Sequence, residues 1–257
     1  MQISQVAAQL YTLRDHAKTP ADLAQTLKKV AAIGYQSVQV SGIGPIEDSE
    51  LVQMCQGNGL SICATHEPAT QIIENPHAVA LKLRNLGCQY TAYPHPGGVD
   101  ITSLEAVDAM ISGLDKAGAV LRENGLHLLY HNHSIEFFKH NGQTVWDRIF
   151  ANTDPQNLGA EPDTYWVQHG GASPVTVCER LAGRLPLIHL KDYKVTEKSQ
   201  PMYCEIGAGN LDFPAIIAAA EAGGCQWFIV EQDTTPGDPF DSLQQSFDYI
   251  SANLVSA

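Results

Sequence analysis

The stretch TPADLAQTLKKVAAIGYQSVQV, residues 19–40, contains the local pattern from which the fold can be worked out. Thr19 is a suitable N-cap, Pro20 fits the first helical turn, and Gly34 can end the helix with a positive φ angle. The apolar residues between them recur at helical spacing, and an apolar, partly β-branched run follows at residues 35–40. The stretch therefore predicts an amphipathic helix that leads through a glycine into a strand.

The same pattern returns along the whole chain. Predicted strands lie near residues 5–11, 36–41, 60–65, 89–94, 126–132, 157–162, 185–190 and 226–231. Helical patterns follow each of them. One is predicted to open at Thr102, with Glu105 three residues on, and the last covers about 239–254.

Steady alternation of strands and helices implies parallel strands joined by right-handed crossovers. Eight such units in 257 residues favour a closed barrel over an open sheet. No Gly-x-Gly-x-x-Gly sequence follows the first strand, which argues against a dinucleotide-binding fold. We therefore predict an α/β protein with a single (β/α)8 TIM barrel, formed by residues 1–257 as one domain.

The chain has a formal net charge of −13, from 15 basic and 28 acidic residues. This balance repels phosphate backbones and anionic lipid surfaces, so we expect neither nucleic acid nor a membrane as partner. No apolar run approaches the ~20 residues of a membrane span, and the first residues, MQISQVAAQL, do not form a signal peptide. The six cysteines are dispersed, as is typical of reduced thiols. We therefore predict a cytoplasmic protein.

Side chains that bind metals or move protons follow the C-terminal ends of the predicted strands from the third to the eighth. In a (β/α)8 barrel these ends and the loops after them form the active site. The residues are His66, Glu67, His95, His131, Asn132, His133, Glu136, Glu161, Asp163, His189, Lys191, Asp192, Glu231, Gln232 and Asp233. Because the N-terminal strand ends show no such enrichment, we expect a functional site at the C-terminal mouth.

Imidazole and carboxylate groups at one barrel mouth predict a site for one divalent metal ion, such as Zn, Mn, Co, Fe or Mg. Side chains alternate along a strand, so every second residue points inward. One ligand from each of four successive strands can then meet at one ion. The predicted ligands are His131, Asp163, His189 and Glu231.

Two of these positions have alternatives close by in the sequence. His133 and Glu136 compete with His131 as the ligand that follows the fifth strand. Glu161 competes with Asp163 after the sixth strand. Alternation along the fifth strand places His131 and His133 on the same side, so sequence alone leaves that choice open.

The remaining polar groups at the mouth are candidates for catalysis. His66 is predicted to contact the substrate, and His66, His133 or Glu231 can act as acid or base, because such a group needs a pKa near the working pH. Lys191 is predicted either to stabilise a developing oxyanion or to form a salt bridge with Asp192. The predicted catalytic residues are therefore Glu231, His66, His133 and Lys191.

The stretches QLYTLRD, YHNHSIEF, PDTYWVQHGG, PLIHLKD, GNLDFPAII and IVEQD resemble the xylose isomerase-like barrel family. This family includes sugar isomerases, epimerases, inosose-processing enzymes and the endonuclease IV branch. The resemblance spans nearly the whole chain. It implies a small carbohydrate substrate and a metal bound by Glu, Asp, His and Glu after the fifth to eighth strands. The last three fall on Asp163, His189 and Glu231.

The chain departs from the family pattern at three positions. His131 stands where the sugar enzymes have the first Glu, Gln39 replaces a Glu common in the second strand, and Ala208 lies between two glycines where many relatives have Glu. In the family's epimerases the two glutamates form an acid–base pair on opposite faces of the substrate. His131 therefore removes one member of that pair.

We predict an isomerase or epimerase of a small sugar or keto-sugar, which abstracts a proton beside a metal-polarised carbonyl to form an enediolate. The alternative is a lyase that eliminates from an inosose or a 3-keto-glycoside through the same enolate. The −13 charge opposes a nuclease, and a non-catalytic sugar-binding barrel would not need so many ionisable groups at one rim. We expect an unphosphorylated substrate. A homo-oligomer is compatible with the sequence.

Overall fold

Strands and helices alternate along residues 1–255, the part of the chain that this computed structural model describes. The strands are β1 (Val6–Gln9), β2 (Ser37–Val40), β3 (Ser61–His66), β4 (Tyr90–Tyr93), β5 (His127–His131), β6 (Lys139–His140), β7 (Gln143–Thr144), β8 (Leu158–Glu161), β9 (Leu187–Leu190), β10 (Asp192–Val195), β11 (Pro201–Cys204) and β12 (Trp227–Val230). The α-helices are α1 (Pro20–Ile33), α2 (Asp48–Gly57), α3 (Ala69–Glu74), α4 (Pro76–Leu86), α5 (Leu104–Glu123), α6 (Val145–Ala151), α7 (Thr164–His169), α8 (Pro174–Arg180), α9 (Phe213–Ala222) and α10 (Pro239–Asn253).

Eight parallel strands form the barrel, in the order β8-β5-β4-β3-β2-β1-β12-β9. Between β8 and β9, the backbone N–H of His189 donates to the carbonyl of Pro162 at 2.9 Å, next to a parallel bridge between Asp163 and His189. The ring is nearly closed, so the predicted (β/α)8 TIM barrel is confirmed. Each predicted strand overlaps one of these eight. Two hairpins, β6-β7 and β10-β11, are inserted on the C-terminal side of β5 and β9.

Helix ends follow the predicted signals with one correction. The Thr19 hydroxyl accepts a hydrogen bond from the backbone N–H of Asp22, and Gly34 ends α1 with a φ of 122°. Helix α5 is capped by Ser103, whose hydroxyl accepts from the Ala106 N–H, so the prediction of Thr102 at this position was wrong.

The inward-facing side chains fill the barrel in layers. The apolar layer consists of Ala7, Cys63, Ala64, Tyr90, Ala92, Leu129, Leu187 and Ile229. Two residues further along five of these strands the side chains are polar: Gln9, His66, His131, His189 and Glu231. Because side chains alternate with a period of two, these groups form a polar layer immediately above the apolar one.

The division of the chain into domains stays a prediction. Residues 256 and 257, which the predicted domain 1–257 includes, lie outside the described residues. Among the helices of residues 1–255, none is sufficiently long and apolar to cross a membrane. All six cysteines are buried and unpaired.

Candidate metal centre and proton-transfer site

A network of hydrogen bonds crosses the inside of the barrel through the polar layer. The Gln9 amide donates to Gln39 Oε1 at 2.7 Å, and the Gln39 amide donates to Glu161 Oε1 at 2.7 Å. Glu161 Oε2 lies 3.2 Å from His66 Nε2. Since β2 and β8 are not neighbours in the barrel, Gln39 and Glu161 can meet only by pointing into its interior.

His131, Asp163, His189 and Glu231 form a compact cluster at the C-terminal mouth. Their candidate ligand atoms all lie within 4.8 Å of one another, and the four residues are at most 5% exposed. Each comes from the end of a different barrel strand or the residues just after it: β5, β8, β9 and β12. The structure therefore brings together the four residues that the sequence predicts as metal ligands.

His189 makes contacts through both ring nitrogens. Nδ1 lies 2.9 Å from Glu231 Oε2, whereas Nε2 lies 2.6 Å from Gln39 Oε1 and 2.5 Å from Glu161 Oε1. Burial by itself lowers the pKa of His189, but the carboxylates of Glu161 and Glu231 raise it to about 10. For Glu161, burial raises the pKa, whereas His189 and His66 lower it to about 2.

The Lys191 ammonium is buried among three carboxylates. Nζ lies 2.8 Å from Asp163 Oδ2, 2.9 Å from Glu231 Oε2 and 2.9 Å from Asp233 Oδ2. Burial alone would lower the pKa of Lys191, but these carboxylates raise it well above its ordinary value. Lys191 is therefore a permanent cation at the edge of the cluster.

Asp192 has a different role from the one expected, so the predicted salt bridge with Lys191 was wrong. Its carboxylate accepts hydrogen bonds from the backbone N–H groups of Tyr193, Gly207, Gly209 and Leu211, at 2.7–3.3 Å. These bonds tie the loop before α9 to the start of β10. Neighbouring side chains in an extended segment point in opposite directions, which separates Asp192 from Lys191.

The chemistry and spacing of the cluster fit a divalent ion. Two imidazoles and two carboxylates are donors that Zn²⁺ and related ions accept. Adjacent ligands at about 2.1 Å from an octahedral ion are about 3 Å apart, and His189 Nδ1 and Glu231 Oε2 are 2.9 Å apart. His131 Nδ1 and Asp163 Oδ2 are buried without a hydrogen bond of proper geometry, although Lys191 lies close to the second. His131 thus keeps a free donor atom, and Asp163 offers a carboxylate oxygen that it shares with Lys191.

The alternatives to His131 occupy different positions. Glu136 accepts hydrogen bonds from the Tyr130 hydroxyl at 3.0 Å and from the backbone N–H of His133 at 2.8 Å. His133 faces the cavity above the cluster, and burial together with Lys191 lowers its pKa to about 3. His131 is the strand-β5 residue that groups with Asp163, so it is the ligand that the geometry favours.

A cavity of about 250 Å³ opens directly above the cluster. His66, His95 and His133 face it together with Glu231 and Asp233. Its remaining lining residues are Tyr11, Ser41, Pro94 and His131. This volume can hold a small carbohydrate, and four imidazoles and two carboxylates line the space around a molecule bound there.

A larger cavity of about 570 Å³ lies at the opposite, N-terminal end of the barrel, around Arg122, His127 and Arg184. The Arg184 guanidinium donates to the backbone carbonyls of Leu158 and Phe150, at 2.7 and 2.8 Å. That arginine therefore holds neighbouring chain segments together. None of the predicted metal-binding or catalytic residues lines this cavity.

Sequence reasoning placed Asp233 at the end of the eighth strand but missed its contact with Lys191, and it missed Gln9 altogether. The Asp233 carboxylate accepts a hydrogen bond from the Lys191 ammonium at 2.9 Å. Gln9 orients the amide of Gln39, at 2.7 Å. Both could have been found from alternation, because Asp233 is two residues after Glu231 and Gln9 is two after the inward-facing Ala7.

Known proteins resemble this chain over most of its length. The xylose isomerase-like TIM barrel family matches residues 27–252. The inosose dehydratase of Geobacillus thermodenitrificans (strain NG80-2) is 28% identical over an alignment of 263 positions that covers 88% of each chain. Among solved structures, a sugar phosphate isomerase/epimerase of Parabacteroides distasonis ATCC 8503 gives a TM-score of 0.82 at 20% identity, covering 99% of this chain and 96% of that one. An L-ribulose 3-epimerase gives 0.76 at 15% identity, with coverages of 98% and 94%.

The two solved structures share the fold, and the family match covers most of the sequence. The chain therefore belongs to the xylose isomerase-like TIM barrel family, a family of enzymes.

Proposed function

We propose that the protein is a divalent-metal-dependent lyase that removes water from a small keto-sugar or keto-cyclitol through an enediolate. The observation that carries this proposal is the arrangement at the mouth. A His/Asp/His/Glu cluster lies beneath a cavity faced by His66, His95 and His133. His131 replaces one glutamate of the epimerase pair, which favours elimination. The similarity to a protein named inosose dehydratase supports the same choice.

His131, Asp163, His189 and Glu231 would hold the ion. When bound, a divalent ion polarises the substrate carbonyl and stabilises the negative charge of the enediolate. The cavity places Glu231 and Asp233 beside the substrate, and these carboxylates repel phosphate groups. The substrate is therefore an unphosphorylated carbohydrate whose hydroxyl groups hydrogen-bond to the cavity walls.

Two cavity histidines carry the proton transfers. His66 holds its Nε2 against the Glu161 carboxylate, and its other ring nitrogen takes the proton from the carbon next to the carbonyl. The electron pair left on that carbon forms the new double bond as the C–O bond at the next carbon breaks. The lowered pKa of His133 keeps its ring neutral, and its N–H gives a proton to the departing hydroxide, which leaves as water. Solvent then takes the proton from His66 and returns one to His133.

Lys191 acts by its charge in this proposal. Its ammonium is enclosed by Asp163, Glu231 and Asp233, so it balances carboxylates of the cluster and has little capacity to bind a substrate oxyanion. Glu231 is a ligand first, because its Oε2 already faces His189 and Lys191.

An isomerase or epimerase is the second candidate. Glu231 on β12 and His133 after β5 approach the cavity from strands three places apart around the barrel, and one group can remove a proton that the other returns. A reaction carried out in heavy water distinguishes elimination from epimerisation. With an inosose as substrate, elimination releases water and forms an unsaturated product, whereas epimerisation incorporates solvent deuterium into a stereoisomer.

The test uses Zn²⁺- or Mn²⁺-loaded protein, an inosose and a set of ketohexoses, with products followed by proton NMR. We expect dehydration of the inosose and loss of activity after chelation. Deuterium incorporation without loss of water would replace the proposal by the second candidate. Full activity in metal-stripped protein would refute both candidates.

A matched pair of variants tests the proton-transfer role. His133→Gln should lower kcat by about 10²–10⁴-fold while metal affinity stays within about threefold. His127→Gln makes the same change at the opposite end of the barrel, where His127 stacks on Tyr90, and should leave kcat unchanged. Equal kcat values for the two variants would remove His133 from the mechanism.

A further inference from the structure

Glu161 is a fully buried carboxylate that contacts two histidines with different tasks. Oε1 lies 2.5 Å from His189 Nε2, and Oε2 lies 3.2 Å from His66 Nε2. His189 belongs to the candidate metal cluster, whereas His66 faces the cavity. The carboxylate is 0% exposed and lies inside the barrel, so it cannot reach a substrate directly.

The hydrogen bonds around His189 determine which ring nitrogen carries a proton. Nε2 faces two oxygen atoms, Glu161 Oε1 and Gln39 Oε1, and only a protonated Nε2 can donate to them. In the neutral ring, the lone pair is then on Nδ1. This is the nitrogen that faces Glu231 within the cluster.

The same reasoning applies to His66. A carboxylate can only accept, so the His66 Nε2 next to it carries the proton. Nδ1 is then the nitrogen that can exchange a proton with a molecule in the cavity. Gln39 supports this arrangement, because its amide donates to Glu161 while its oxygen accepts from Gln9. A glutamate at position 39 would place a second carboxylate against Glu161.

We propose that Glu161 is a positioning residue that sets the tautomers of two histidines at once, with His189 Nδ1 directed to the metal and His66 Nδ1 to the substrate. This inference rests on the proposed function. It assigns Glu161 a place behind the metal ligands, where such partners raise ligand basicity and fix ring orientation. In this role Glu161 does not bind the metal itself. The sequence leaves direct binding by Glu161 open, and the group His66, His131, Glu161 and His189 would permit it.

The informative variant is Glu161→Gln, because it preserves size while changing donors and acceptors. The glutamine oxygen can still accept from His189 and Gln39, so its amide must face His66 Nε2. That nitrogen then has to accept, and the proton of the neutral His66 ring moves to Nδ1. We expect kcat to fall by about 10²–10⁴-fold, as when a catalytic histidine is held in the wrong tautomer. We expect Zn²⁺ affinity to fall by about 10-fold, from loss of the charge behind His189.

Glu67→Gln is the matched control. Glu67 is also a buried carboxylate, 5% exposed, and follows His66 directly, but its partner is Lys82 at 2.9 Å. This variant should bind Zn²⁺ as tightly as the wild type. Affinity is measured by competition with a chromophoric chelator, and the tautomers are measured by nitrogen NMR of labelled histidines. His66→Asn and His189→Asn identify the two signals.

A tautomer change at His66 in Glu161→Gln is the result that a purely structural role would not produce. Unchanged tautomer, kcat and Zn²⁺ affinity in a folded variant would overturn the inference. If the variant does not fold, wild-type protein decides, because both rings must carry the proton on Nε2 in the Zn²⁺-loaded state. Zn²⁺ coordinated by Glu161 in a crystal of the loaded protein would overturn it as well.

Failure of the proposed function has a different signature. Wild-type protein that binds no Zn²⁺ contradicts the proposed metal centre, whereas the His66 tautomer can still be measured in metal-free protein. A wild type that binds Zn²⁺ and dehydrates its substrate, with a Glu161→Gln variant that does the same, contradicts only the positioning role.

Discussion

Replacing Glu136 by glutamine should change how the stability of the protein depends on pH. Glu136 is completely buried after β5, where it accepts hydrogen bonds from the Tyr130 hydroxyl and the His133 backbone. Burial raises its pKa from 4.5 to about 7, although the hydrogen bonds oppose the shift. Glutamine is tolerated in this position because its oxygen can accept from His133 while its amide donates to the Tyr130 oxygen.

The magnitude follows from the two pKa values. Below pH 4.5, Glu136 carries a proton in both the folded and the unfolded chain, so its contribution to stability is fully present. Between pH 4.5 and about 7 only the unfolded chain releases the proton, which lowers the free energy of unfolding by about 1.4 kcal/mol per pH unit. Above about pH 7 the loss is complete, at about 3 kcal/mol.

Glu136→Gln has no proton to lose at this site. The free energy of unfolding of the variant minus that of the wild type should therefore rise by about 3 kcal/mol as pH increases from 4.5 to 8. Urea denaturation followed by circular dichroism, at several pH values, measures this difference. Tyr130→Phe removes a hydrogen-bond donor to the ionised Glu136 carboxylate. This variant should therefore lose stability up to a higher pH than the wild type does. A difference that stays constant across this pH range would refute the reasoning.

Three further changes test the fold and the site. Thr19→Ala removes the N-cap of α1 and should lower the free energy of unfolding, measured by urea denaturation, by about 1 kcal/mol. An unchanged urea midpoint would contradict a stabilising cap at Thr19. In Gly209→Ala the new Cβ would collide with the Asp192 carboxylate, so we expect the free energy of unfolding to fall by about 1–3 kcal/mol. A variant with the thermal stability of the wild type would show that the loop can move away. Lys191→Met leaves Asp163 and Glu231 without their ammonium and should destabilise the metal-free protein by about 3–5 kcal/mol. Zn²⁺ should restore part of this loss in thermal unfolding, and equal losses with and without Zn²⁺ would contradict a shared site.

The barrel could be predicted because its signals are local. The N-cap at Thr19 and the positive φ of Gly34 are properties of a few neighbouring residues, and the same pattern recurs along the chain. Alternation along a strand is equally local, and it placed His131, His189 and Glu231 on the inside of the barrel. The order of parallel strands then brings their ends together, so four ligand-type residues distant in sequence could be expected at one mouth.

Contacts that depend on a choice between distant partners could not be predicted in the same way. Lys191 has Asp192 next to it in the sequence, but in the structure it pairs with Asp163, Glu231 and Asp233. The direction of the backbone decides which of these carboxylates Lys191 can reach. The pattern of residue types in the sequence does not contain that direction. Glu161 is another case, because its two histidine partners lie on β3 and β9, on opposite sides of β8 in the chain. At the start of α5 the ambiguity was local, since two adjacent residues can both cap a helix.

The electrostatics of the polar layer support the proposal of a metal ion at the mouth. Glu161, Asp163 and Glu231 are nearly inaccessible to water, and Asp233 is only partly exposed, so four carboxylates share a region of low dielectric. Burying so many carboxylates is costly unless each is paired with positive charge or accepts hydrogen bonds. Lys191 supplies one fixed positive charge and is already shared by three of them. The imidazoles can supply more charge only by taking up protons, and a ring that does so loses the lone pair needed to bind a metal. A divalent ion provides the missing charge without that loss, which makes the excess of buried carboxylates a physical reason for the proposed metal centre.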